Sequence, residues 1–271
     1  MSGISGLPPI PMFNFIAPRE TQDVTQFEKT DPQTSADIAY FKKVAPTLTT
    51  PTALLNNYRA LGVVLNAFGM SANINQPALL KQFLTQNPKA SSSTANQIGN
   101  PLYIRFANAM AQFKPPPFSS AAGINAVVTA LGTNNFEAAQ DTLSPGIADA
   151  LYFSRTIKSV TSLAQLMSDP KLLNVATTAT NMPPQFGGLD YSQQVSLLSA
   201  QINVKNFQKP AFVEKFITQY LAINQASNTT VADPSGALSV LQGTASGSDV
   251  LGSLFPKSSS NSSNSVLSLF A

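Results

Sequence analysis

The chain has 271 residues, enough for one large or two small domains, and 43% of them are hydrophobic, so a sizeable core is available. Charged residues make up only 11%, against about a quarter in ordinary soluble proteins, and a net charge of +3 with Lys42 and Lys43 as the one adjacent basic pair is no nucleic-acid footprint. Cys, His and Trp are absent, which removes disulfides, thiolate nucleophiles, Cys-type zinc sites and the commonest general base and metal ligand.

In chain order, residues 1–33 open with "MSGISGLPPIPMFNFIAPRE", where Pro8, Pro9 and Pro11 interrupt any apolar run and no basic residue precedes Arg19. This is not the pattern of a Sec signal peptide, and the segment reads as flexible. No apolar window approaches the ~20 residues of a spanning helix, so no integral membrane segment is expected. A first helical unit, residues 34–115, follows, with helices at Ser35–Lys43, Pro51–Gly69, Pro77–Asn87 and Pro101–Phe113. Thr50-Pro51 and Asn100-Pro101 place a capping acceptor before a proline at the first helical position. Leu54, Tyr58, Leu61, Leu65 and Phe68 then form one apolar stripe over five turns, closed by Gly69 in a left-handed conformation.

Residues 116–145 are expected to bridge, with helices at Ser120–Leu131 and Phe136–Leu143. The second unit, residues 146–225, carries helices at Pro145–Lys158, Ser162–Ser168, Pro170–Thr180, Tyr191–Ile202 and Pro210–Asn224, the third again marked by a cap and proline at Asp169-Pro170. No alternating strand pattern intervenes. Residues 226–271 are rich in Ser, Asn and Gly and read as a flexible low-complexity tail, with "SVLSLFA" at its end either a docking element or a frayed terminus.

The second unit echoes the first. "DIAYFKKVAPTLTTPTALL" from Asp37 and "DALYFSRTIKSVTSLAQLM" from Asp149 align without a gap at an offset of 112 residues, and the alignment runs on to Met70 and Met182. It matches Asp37 with Asp149, Tyr40 with Tyr152, Phe41 with Phe153, Thr50 with Ser162, Leu54 with Leu166, Val63 with Val175 and Ala67 with Ala179. Leu102, Phe106, Met110 and Phe113 share their spacing with Phe212, Phe216, Tyr220 and Ile223. The expected fold is therefore all-α: a helical bundle of two related units with approximate internal twofold symmetry and flexible ends. The Tyr-Phe pairs at 40–41 and 152–153, with Leu163, Leu166 and Met167, are read as core rather than as a site.

Chemistry is sparse. There is no Gly-rich phosphate loop, metal-ligand spacing, nucleophile with a base, or close carboxylate pair, so no catalytic, cofactor-binding or metal residue is assigned, no cofactor is expected, and an enzyme is the least favoured reading. Asp37 and Asp149 are read as helix-head residues that cap or complement the dipole, and Glu137, Glu214 and Lys215 as solvated.

The segments "FEAAQDTLSPGIADALYFSRTIKSVTSLAQLMSDPKLLNVATTATNMP" and "GLDYSQQVSLLSAQINVKNFQKPAFVEKFITQY", with "DIAYFKKVAPTLTTPTALLNNYRALGVVLNAFGM" and "NPLYIRFANAMAQF" earlier, resemble the bacterial family called domain of unknown function 1217. Around Thr177 to Asn181 and at Gln193 and Gln194 the chain has neutral residues where the family usually has charged ones. The resemblance implies a helical protein, and a flagellar context, since members are often associated with flagellar gene clusters. It carries over no catalytic residues. Two roles stay open: a structural or assembly protein exported without a cleaved signal to the flagellum, and a cytoplasmic export chaperone or assembly regulator that binds a partner helix. Either implies flagellar protein partners, with self-association allowed and no nucleic acid or small-molecule substrate.

Overall fold

Proline opens seven of the fourteen α-helices among the described residues, because its missing N–H costs nothing at the first helical position and its fixed φ is already helical. The computed structural model of the protein describes residues 6–112, 118 and 120–228, and no strand occurs among them. In order the helices are α1 Pro9–Ile16, α2 Glu20–Thr30, α3 Pro32–Val44, α4 Pro51–Asn56, α5 Tyr58–Ala67, α6 Pro77–Thr85, α7 Thr94–Ile98 and α8 Pro101–Gln112. They continue with α9 Ala121–Leu143, α10 Ile147–Thr156, α11 Leu163–Met167, α12 Pro170–Ala179, α13 Tyr191–Gln201 and α14 Pro210–Asn228. The three caps read from the sequence all form: Thr50 accepts from Ala53 N at 3.1 Å, Asn100 from Leu102 N at 2.9 Å and Asp169 from Lys171 N at 3.0 Å. Gly69 closes α5 with φ +72°.

Three departures from the sequence reading have physical reasons. The five-turn helix from Pro51 is two helices, broken at Asn57, whose side chain leaves the helical path to cap α5 through Ala60 N (3.0 Å) while accepting from the Tyr40 hydroxyl (2.9 Å). Tyr58 accordingly turns outward and is 65% exposed rather than part of the stripe. The two bridging helices are one, α9, since the small and amide residues from Gly132 to Asn135 continue the helical ladder. The largest difference is at the N-terminus: residues 9–30, expected to be flexible, form α1 and α2. Pro9 and Pro11 lie in the first turn of α1, where they are tolerated, and Met12, Phe13 and Ile16 form a buried stripe.

Two hydrophobic clusters result. One gathers α3 to α6, α8 and the first half of α9 around Phe41, Leu65, Phe83 and Phe106. The other gathers α10, α12 and α14 around Phe153, Phe207 and Leu221, and α1 inserts Met12 and Ile16 into it. Phe153 stacks on Phe216 (5.6 Å, 18°) and meets Phe207 edge-on (5.5 Å, 80°). Helix α9 serves both clusters, giving Val127 and Leu131 to the first and Phe136 to the second, and all described residues belong to one packed unit. Phe113, part of the spacing shared with Phe212 to Ile223, lies outside the described residues, as does the "SVLSLFA" segment.

Phe106 and Phe216 are 0% and 7% exposed. Changing either to Ala should cost ~3–5 kcal/mol as a large-to-small core substitution, measurable by urea denaturation; a loss below about 1 kcal/mol at both would show that α8 and α14 do not anchor their clusters.

Candidate functional site

Six charged side chains come together where the two clusters meet. A cleft of about 840 Å³ opens there, within the range of ligand pockets. Helix α8 supplies Leu102, Arg105 and Ala109, one face at helical spacing, and α9 supplies Asn134, Glu137, Ala138 and Asp141 opposite it. The end of α5, from Asn66 to Gly69, forms one side; Ala148, Asp149 and Tyr152 of α10 and the head of α12, from Asp169 to Lys171, form the other.

Asp169 organises this wall. Its Oδ1 caps α12, accepting from Lys171 N (3.0 Å) and Leu172 N (3.3 Å), which leaves Oδ2 for the Tyr152 hydroxyl (2.6 Å) and for Arg105, which reaches across from α8. Arg105 Nη1 also donates to the Tyr152 hydroxyl oxygen. Burial, then the hydrogen bond to Asp169, pushes the Tyr152 phenol up to about 12, so it remains a protonated donor at neutral pH. Its ring lies 5.0 Å from Lys171 Nζ and 5.7 Å from the Arg155 guanidinium, within cation–π range.

On the α9 wall of the cleft, Glu137 is 1% exposed, where the sequence predicts a solvated face. Glu137 sits beside Phe136 between the two clusters, and Arg155 answers it: Nη2 donates to Glu137 Oε1 at 2.6 Å, while Nη1 pairs with Glu20 of α2. Burial alone would lower the Arg155 guanidinium, but Glu137 and Glu20 outweigh it and hold it above its ordinary value. Glu137 Oε2 has no hydrogen-bond partner, and Lys171 Nζ stands off it at 3.6 Å. Asn134 donates to the carbonyls of Asn66 (2.7 Å) and Ala67 (3.0 Å), closing the end of α5.

The positions paired by the offset of 112 residues do related things with different charge. In the first unit Tyr40 donates to the capping residue Asn57, and Arg59 covers the Tyr40 ring (4.4 Å) while pairing with Asp37 (2.9 Å). In the second, Tyr152 donates to the capping residue Asp169 and Lys171 covers the ring. Asp37 lies inside α3, bound by Arg59 and Gln33, and does not sit at a helix head as expected. Asp149 does lie in the first turn of α10, and it accepts from Asn174 (2.7 Å). Burial holds the Asp149 carboxyl above its ordinary value, only partly opposed by Asn174 and Lys171. Phe41 and Phe153 are core, as read, but Tyr40 and Tyr152 are half-buried, and Tyr152 belongs to the cleft. Asp149 and Tyr152 lie one helical turn apart, but Arg105, Asp169 and Glu137 come from separate helices, and no local motif points to their meeting.

Among the described residues no group of three or more His, Cys, Asp or Glu could hold a metal ion, and no helix is long and apolar enough to cross a membrane. A family model described as "Protein of unknown function (DUF1217)" matches residues 67–213. No curated protein matches the chain. The fold is similar to the crystal structure of protein AGR_C_984 from Agrobacterium tumefaciens, with a TM-score of 0.70 and 19% identity over 80% of this chain and 93% of that one; at that identity the likeness speaks for the fold alone.

Two outcomes follow for stability. Arg155→Met strips the hydrogen-bonded partner from a buried carboxylate and should cost on the order of 3 kcal/mol in urea unfolding, as breaking buried pairs does. Asp149→Asn should raise the Tm at pH 7, because folding disfavours the charged carboxylate there. The gain should shrink as pH falls through the folded-state value into the ordinary carboxylate range, where both side chains are neutral.

Proposed function

The chain belongs to the DUF1217 family of proteins of unknown function, and from that membership we propose a non-enzymatic role in the flagellum: a structural or assembly protein exported by the flagellar secretion route without a cleaved signal. Its partners are flagellar proteins. The observation that carries this reading is the resemblance to a family associated with flagellar gene clusters. The state of the cleft supports it: Tyr152 is a protonated hydrogen-bond donor, Asp169 is divided between a helix cap and Arg105, and Glu137 is held by Arg155. These groups act as struts between helices. The low charge and the lack of Cys suit a chain that travels unfolded and then assembles.

A second reading is favoured by the cleft itself. The facing stripes of α8 (Leu102, Arg105, Ala109) and α9 (Asn134, Glu137, Ala138, Asp141) each run about two turns, the reach of a short helix segment laid in a groove. In that reading the protein stays in the cytoplasm as an export chaperone or assembly regulator.

Fractionation of flagellated cells carrying a tagged copy separates the two. A structural subunit is expected outside the cytoplasm and in sediment with purified hook–basal-body particles. Retention in the cytoplasm of cells whose flagellar secretion works would overturn export, and recovery of one exported protein in a pulldown would establish the chaperone reading.

A further inference from the structure

The cleft is short of positive charge. Four carboxylates line it, from Glu137, Asp141, Asp149 and Asp169, against two cations, Arg105 and Lys171. This local excess of negative charge stands in a chain whose net charge is +3. Arg105 is committed to Asp169 and the Tyr152 hydroxyl, and Arg155, from outside the lining, holds only Oε1 of Glu137, so Lys171 alone among the lining cations is left to face Glu137 Oε2, Asp141 and Asp149.

Glu137 marks where a donor is missing. Its Oε2 is buried without a hydrogen-bond partner, a state that native structures rarely leave unexplained. Lys171 Nζ, at 3.6 Å, is too far for a hydrogen bond and sits on a side chain 42% exposed, so an incoming cation can displace it at little cost. Asp149, its carboxyl disfavoured as an anion by burial, stands on the adjacent wall. Between these polar points the walls are apolar and small, with Ala109, Ala138 and Ala148. That combination excludes anions and accommodates a narrow alkyl stem.

We infer that the cleft binds an organic ammonium group on an aliphatic stem, with the ammonium donating to Glu137 Oε2 and Asp149 in place of Lys171. The same chemistry has two sources, a free alkylamine or the lysine side chain of another protein. The inference stands on the geometry of the cleft and does not depend on the flagellar reading.

The test is an NMR titration of the full-length, ¹⁵N-labelled protein at pH 7 with hexylamine, hexanoate, 1-hexanol and Nα-acetyl-lysine methylamide. Saturable shifts at the amides of Glu137, Ala138 and Asp149 are expected with the amines and not with hexanoate. Tighter binding of hexylamine assigns the site to a free amine, and tighter binding of the lysine derivative assigns it to a protein lysine. Asp149→Asn, which keeps the shape and the contact with Asn174, should weaken amine binding about tenfold, whereas Lys171→Met should strengthen it by uncovering Glu137. Hexanoate or hexanol binding as tightly as hexylamine, silence of both amines, or unchanged affinity in Asp149→Asn would overturn the inference.

Discussion

A carboxylate buried to 1% exposure in the last third of α9, the longest of the described helices, constrains what packs around it. Glu137 cannot remain charged between two apolar clusters without a matched cation, and Arg155 supplies it from α10. The remaining arm of Arg155 then holds Glu20, which fixes where α2 lies and, through it, the entry of α1 into the second cluster. Helices α2, α9 and α10 are therefore joined through one guanidinium. Close contact reinforces this arrangement: a Cβ at Gly132 of α9 would sit 2.2 Å from Glu28 Oε1, so glycine lets α2 approach.

Much of the helix pattern was legible because proline and its preceding cap act over three or four residues. Thr50, Asn100 and Asp169 announce their helices through contacts wholly local to the chain. The apolar periodicity of Phe212, Phe216 and Tyr220 likewise needs no partner to be read. At the N-terminus the same two signals were present in Pro9 and in the stripe Met12, Phe13 and Ile16, but the cluster of three prolines outweighed them. The break at Asn57 was hidden for a different reason. It depends on the Tyr40 hydroxyl, 17 residues earlier, and a stripe of apolar spacings reads straight through it.

The cleft was illegible for the same reason on a larger scale. Arg105 and Asp169 are 64 residues apart, and Glu137 carries no sign in its neighbourhood that it is buried. What the sequence did contain was the pairing at an offset of 112 residues. At those positions a neutral cap, Asn57, stands opposite an acidic one, Asp169, and the closed pair of Asp37 with Arg59 stands opposite an Asp149 that Lys171 leaves behind to approach Glu137. The same scaffold of a tyrosine bonded to a helix cap is thus self-contained in one place and open in the other. The two differ in charge, and also in helix position at Asp37, which lies inside α3, and Asp149, which lies in the first turn of α10.

Helix α9 runs unbroken for 23 residues and gives side chains to both clusters. Losing either cluster would expose one side of that helix and uncover Glu137, so neither can melt while the other stays intact. The two clusters should therefore unfold as a single cooperative unit, with heat absorbed in one transition whose calorimetric and van't Hoff enthalpies agree.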